Sequence, residues 1–283
     1  WLVTLARDQP FTFIDHALRY GDSLVGLTRA QIRAFDWRVD ERPAGPLFAD
    51  VDAAVETALG HRRRIVGAPG DWRAQQEAWD DAEKTLARAR LLGDACLAAF
   101  FGADKDKDRE ALRRTYRNAL ADPGSEMIAE ARSRLRGGDR PVPPLHWEIE
   151  FPEVLGRESP GFDAMVGNPP FLGGARVWPV LGGPYRDWIR HLHQNTGGKA
   201  VDLVAHFFRR AFRLIRDVGS LGLIATNTVC QGDTREAGLH QLALEGGRIY
   251  AAIRRLPWPG NAAVVVSVVH VGRGRDVHRS CWL

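Results

Sequence analysis

Apolar and polar residues follow two different rhythms along this chain. Between residues 50 and 135, alanine, leucine and tryptophan recur three and four positions apart among Arg, Glu and Asp, which predicts helices. Residues 71–101 are the clearest case, with Asp71 as the N-cap and Trp72, Ala78, Trp79, Ala82, Leu86 and Ala89 recurring near helical spacing. Asp122-Pro123-Gly124 and Gly137-Gly138 punctuate the later helices. Residues 11–26 read as a strand-rich passage closing on a Gly21-Asp22 turn. A proline-rich connector, Pro141-Val142-Pro143-Pro144, leads into 146–153, whose apolar and acidic residues alternate as in an extended strand.

Beyond that point β and α patterns alternate. Strands are expected at 162–167, 220–227, 248–253 and 263–271, helices at 201–217 and 235–245, and a glycine-rich loop at 172–198. Strands separated by helices imply a largely parallel, layered α/β sheet. The helical block then reads as an insertion, dividing the chain into 1–49, 50–138 and 139–283. With 283 residues, 45% of them hydrophobic, the chain can bury a full core. A formal charge of +4 permits contact with a polyanion without requiring it. Three scattered cysteines, Cys96, Cys230 and Cys281, make a disulfide framework or zinc site an unneeded assumption, and a reducing cytoplasm is the simpler setting. His191-Leu192-His193 lacks a third ligand, so a structural role is expected and no metal is assigned. No apolar run reaches the length of a membrane span. The chain starts at Trp1 within an apolar segment and reads as an internal piece of a longer protein.

The tetrapeptide Asn168-Pro169-Pro170-Phe171 follows the strand at 162–167 directly. Two prolines fix two φ angles and hold the preceding residues extended, so the turn is stiff where a strand has just ended. Carboxyl ends of strands are where ligands bind in open α/β sheets. A planar amine on a base could donate its two hydrogens to the Asn168 side-chain oxygen and the Pro169 carbonyl, with Phe171 stacked on the ring. An ordinary turn accounts for Asn-Pro-Pro as well, and a core aromatic capping the sheet is the lesser alternative for Phe171. Asp22, read alone, is a solvated turn residue. Gly197-Gly198-Lys199 lacks the spacing and hydroxyl of a P-loop.

Gly21-Asp22-Ser23-Leu24, Asn168-Pro169-Pro170-Phe171, Val201-Asp202-Leu203 and Gly222-Leu223-Ile224-Ala225-Thr226-Asn227 occur in one order that resembles the N6-adenine DNA methyltransferases. The texture around Phe13-Ile14-Asp15-His16 and Trp147 to Glu153 is similar to the long type IIG restriction-modification enzymes and related phage-defence methylases. The resemblance covers residues 1–49 and 141–271. It implies a partial Rossmann-like methyltransferase sheet with an inserted helical block, S-adenosylmethionine as cofactor, and double-stranded DNA as partner. It further implies that Asp22 accepts from the cofactor's adenine amine with Ser23 and Leu24 beside that ring. Asn168 and Pro169 would hold the target amine, Pro170 would stiffen the turn, and Phe171 and Trp258 would stack on the flipped base. Trp258, between two prolines, also suits a packing wedge. Arg209, Arg210, Arg213 and Arg216 form a basic run, read as a phosphate contact or a solvated face. The glycine-rich cofactor loop of the family is missing from this stretch, and nuclease and target-recognition regions are expected elsewhere in the full-length chain. Methylation of an RNA base or a protein glutamine, and a non-catalytic DNA-binding remnant, are the competing expectations.

Overall fold

The computed structural model describes residues 15–38, 50–170, 172–193, 201–258 and 265–274, with backbone alone for 174–177. These fall in two compact units, one ending at Glu153 and the other beginning at Val154.

In the first unit the helical rhythm holds. Helices α1 (Arg29–Ala34), α2 (Asp50–Gly67), α3 (Trp72–Phe101), α4 (Asp106–Ala119), α5 (Glu126–Gly137) and the short α6 (Trp147–Glu150) follow one another. The Asp71 carboxylate caps α3 by accepting from the Ala74 amide, as the sequence predicts. Ala78, Ala82, Leu86, Ala89 and Leu92 line its buried stripe. At the other end of α3, the buried Arg109 of α4 donates to the carbonyls of Phe100 and Ala103, which a helix C-terminus leaves without amide partners. Thr28 and Gln31 form a reciprocal capping box at α1.

Two expectations need correction here. The described part of 11–26 holds a 3-10 turn at Asp15–Ala17 and a single bridge at Asp22, with no strand; residues 11–14 lie outside the described residues. The stretch 146–153 is helical, α6 followed by α7 (Pro152–Leu155). Alternation misled because Glu150, counted as a surface position, is buried. Its carboxylate is paired with Arg19 at 2.7 Å and with Arg90 at 2.6 Å, so the polar positions do not share a solvent face. Arg62, within the basic cluster at 61–64, is likewise buried and gripped by Glu153 at 2.6 Å.

In the second unit β1 (Phe162–Gly167) is followed by α8 (Gly174–Leu181), α9 (Gly183–Leu192), α10 (Leu203–Leu214) and β2 (Ile215–Thr226). Next come α11 (Gly232–Arg235), a π-helical turn at Glu236–His240, α12 (Gln241–Leu244), β3 (Gly247–Pro257) and β4 (Val265–Arg273). The loop expected at 172–198 contains two helices, broken at Gly182. Its φ of 86° ends one helix and starts the next, and Tyr185, Trp188 and Ile189 then recur at helical spacing in the core.

The sheet order is β1-β2-β4-β3. β1 and β2 are parallel, whereas β4 runs antiparallel to both β2 and β3. The α/β class therefore holds in a Rossmann-like arrangement of strand-helix-strand units, but the sheet is mixed where a largely parallel one was expected. A strand's direction is set by its neighbours and leaves no mark on its own alternation. Phe208 and Phe212 of α10 pack on Leu221 and Leu223 of β2 and on Val269 and Val271 of β4 to form the core of this unit. Among the described residues no helix is long and apolar enough to cross a membrane.

Candidate active site

In the first unit, the turn that carries Asp22 is built by local sequence and by a second segment lying alongside it. The Asp22 carboxylate folds back on its own chain, accepting from the Leu24 amide at 2.9 Å, and the Asp22 carbonyl accepts from Val25 at 3.0 Å. The partner segment is the proline-rich stretch expected to be a mere connector. Pro143 has no amide to donate, and its carbonyl accepts from the Asp22 amide at 2.7 Å, beside a parallel bridge between Asp22 and Pro144. Leu145 then donates to the Val25 carbonyl at 2.8 Å, and the Trp147 indole donates to the Ser23 carbonyl at 3.1 Å.

The Asp22 carboxylate is half-buried, and when ionised it is an acceptor only. It therefore suits an amine donor. Leu24 is fully buried, so it braces the turn from inside with its side chain.

The same turn rests on a buried charge cluster. Leu27 donates its amide to His146 Nδ1 at 3.0 Å, so that nitrogen carries no proton and the ring proton sits on Nε2. Nε2 faces Asp94 Oδ1 at 3.3 Å. Burial alone would push the Asp94 carboxyl up. Hydrogen bonds from His146 and Arg136, with the charge of Arg136, outweigh it and hold the group well below the usual carboxylate range. A folded-state value below the unfolded one means that the stabilisation is present above about pH 4 and disappears as pH falls further. Acid titration followed by circular dichroism should show Asp94→Asn flattening that loss; an unchanged acid limb would contradict it.

In the second unit, β1 delivers Asn168. Gly167 is in register with Leu223 of the parallel β2, which places Asn168 at the carboxyl edge of the sheet. Asn168 and Pro170 are exposed while Pro169 is buried, so the turn is anchored at its middle. Phe171 lies outside the described residues, as does the Gly197-Gly198-Lys199 segment.

Being antiparallel to β4, which is antiparallel to β2, β3 runs in the same direction as β1 and β2. Its last residue, Pro257, therefore brings the half-buried Trp258 to the same edge as Asn168. Three strand spacings separate β1 from β3, about 14 Å between the backbone lanes. Asn168 and Trp258 share an edge of the sheet without being neighbours in it.

One buried acid at that edge, Asp202, is named in the sequence only as part of a motif, with no role given to it. Asp202 caps α10, accepting from the Val204 amide at 3.1 Å and from Thr226 and Thr228 at the carboxyl end of β2, while Thr234 Oγ1 accepts from its amide. Burial raises its pKa against the pull of these donors. The signal was present as an Asp directly before an amphipathic helix, but only tertiary packing brings the threonines to it.

Three arginines of the basic run pair with acids. Arg209 is buried, with Glu245 at 3.7 Å; Arg213 has the same partner; and Arg216, past the end of the helix, is bound to Asp163 at 2.6 Å. His193 is buried and stacked on His206 with ring centroids 5.5 Å apart, in keeping with a structural role. Among the described residues no group of His, Cys, Asp or Glu could hold a metal ion.

The second unit is a mixed α/β sheet that carries Asn-Pro-Pro at the carboxyl end of a strand. Residues 80–252 match the family model described as Eco57I restriction-modification methylase. That is more than half of the chain, and the chain belongs to this family.

Among solved structures, the type IIL restriction-modification enzyme MmeI in complex with DNA is 20% identical, with a TM-score of 0.37, over 58% of this chain and 23% of that one. A modification subunit ascribed to a type I restriction enzyme from Vibrio vulnificus YJ016 is 14% identical, with a TM-score of 0.32, over 68% of this chain and 37% of that one. At such scores neither carries the assignment, which rests on the family match. The chain thus spans well under half the length of both neighbours. No match was found among curated proteins.

Proposed function

We propose that this chain supplies part of the catalytic region of a site-specific DNA methyltransferase that methylates adenine at N6. The observation that carries the reading is the family match across 80–252 together with Asn168-Pro169-Pro170, inside that match, at the carboxyl edge of the sheet. S-adenosylmethionine, when bound, supplies an electrophilic methyl group on a sulfonium.

Everything else falls to residues of the chain. Asp22 receives the cofactor's adenine amine, with Ser23 in the same turn and Leu24 bracing it. Asn168 and the Pro169 carbonyl each accept one hydrogen of the target amine. Adenine N6 is a poor nucleophile because its lone pair is spread into the ring. Two acceptors pull the amine toward a tetrahedral shape and direct the pair at the methyl group. This is catalysis by positioning and electrostatics. Pro170 holds the acceptors still, and Phe171 and Trp258 stack on a base taken out of the duplex. The division of the chain into core segments 1–49 and 139–283 around a helical insertion at 50–138 belongs to the same proposal.

The acceptor class is tested by giving the full-length protein methyl-labelled S-adenosylmethionine with DNA, RNA and protein fractions. Label is expected in material that deoxyribonuclease releases. Label confined to RNA, or to protein glutamine, would overturn the DNA reading.

A further inference from the structure

We propose that His146 is a positioning residue for the Gly21-Asp22-Ser23-Leu24 turn, and that the helical block at 50–138 acts through it as the scaffold of that turn. The inference rests on the reading of Asp22 as the cofactor acceptor, and it goes further by giving the block a task in cofactor binding.

Its basis is a continuous chain of contacts within the first unit. Arg132 and Arg136 of α5 grip Asp94 of α3 at 2.7 and 2.9 Å. Asp94 is fully buried and faces His146 Nε2, while His146 Nδ1 accepts from Leu27 just downstream of the turn. A buried carboxylate set against one nitrogen of a histidine fixes both its tautomer and its ring orientation. Here it leaves Nδ1 as the acceptor that the Leu27 amide needs, and an unmet buried amide is costly.

Packing fixes the ring from the other side. A Cβ added to Gly93 would stand 2.5 Å from Cε1 and 2.6 Å from Nε2 of His146, so only glycine lets the ring lie against α3. The segment carrying the histidine also holds the turn by its backbone, through Pro143, Leu145 and Trp147. Asp22 thus sits on a strip whose position is set by α3 and α5, more than a hundred residues from Leu27 at the point where His146 meets it in sequence.

The test uses two isosteres in the full-length protein. In His146→Asn the amide oxygen can take the place of Nδ1 and keep the Leu27 bond; in His146→Gln the amide sits near Nε2 and the Leu27 amide loses its acceptor. Calorimetric titration with S-adenosylmethionine should give a dissociation constant raised roughly tenfold in His146→Gln, the loss of one hydrogen bond. In His146→Asn it should stay within about threefold, and in both variants kcat at saturating cofactor should stay within about threefold, since neither touches the reacting amine.

Gly93→Ala, which pushes the ring without altering it, should weaken cofactor binding as His146→Gln does, and serves if the latter folds poorly. Equal cofactor affinity in wild type, His146→Gln and Gly93→Ala, with only melting temperatures changed, would overturn the positioning role. Asp22→Ala is titrated alongside: if its affinity is also unchanged, the cofactor reading of Asp22 falls, and if it alone is weakened, only the role of His146 falls.

Discussion

Replacing Asn168 by alanine is expected to lower the rate of methyl transfer by about 100- to 1000-fold while leaving the affinity for S-adenosylmethionine unchanged. The size follows from what the side chain is proposed to do. Two acceptors shape the target amine, and alanine removes one of them at the moment when the lone pair must be localised. The Pro169 carbonyl stays, because it is fixed by the backbone of a turn whose strand is held in register with β2. The loss should therefore appear in kcat and not in binding. Asn168 is exposed at the sheet edge, so truncating it takes nothing from the core and should leave the melting temperature within a degree or two. Single-turnover transfer from labelled cofactor measures the effect, and an undiminished rate would remove Asn168 from the mechanism.

Gly26→Ala is expected to destabilise the protein by about 3 kcal/mol or more, beyond the usual range for an added methyl group. A Cβ at this position would stand 2.0 Å from the carbonyl oxygen of Leu145 and 2.8 Å from its carbon, and both are backbone atoms that cannot rotate away. Relief requires the segment 143–147 to move off the turn. That breaks the bonds from Leu145 to Val25 and from Leu27 to His146, and it carries Asp22 with it. Cofactor affinity should fall together with stability. Gly60→Ala is the matched control, because no atom lies within 4 Å of its added Cβ and the residue is inside α2. There alanine should stabilise, by about 0.5 to 1 kcal/mol. Urea denaturation of the two variants reads both signs. A Gly26→Ala midpoint equal to wild type would show that the turn and its partner segment are not in close contact.

What could be read from the sequence divides along physical lines. Features with a strong local signal were legible: the Asp71 cap, the long stripe of α3, and β1 from Phe162 to Gly167, an apolar run whose end the following prolines mark. Features whose meaning depends on a distant partner were not. Glu150 looks like a surface acid until Arg19 and Arg90 are placed on it, and Arg209 looks solvated until the rest of its unit folds over it. The antiparallel course of β4 is invisible in its own residues. The pairing of Asp22 with Pro143 and Pro144 joins segments about 120 residues apart, a closure that no local pattern encodes. Of the candidate site, the motif at 168–170 and the turn at Asp22 were named from sequence. The His146 and Asp94 support behind that turn was not, since a lone histidine after two prolines carries no signal of the carboxylate it meets.

The central claim is that the chain serves methylation of adenine N6 in DNA. The full-length protein is incubated with duplex DNA and methyl-labelled S-adenosylmethionine, the DNA is digested to nucleosides, and the labelled nucleoside is identified by mass spectrometry. The account predicts the label in N6-methyldeoxyadenosine, and its disappearance when Asn168 is alanine. Label in a methylated cytosine, or DNA that stays unlabelled while the protein binds both cofactor and duplex, would contradict it.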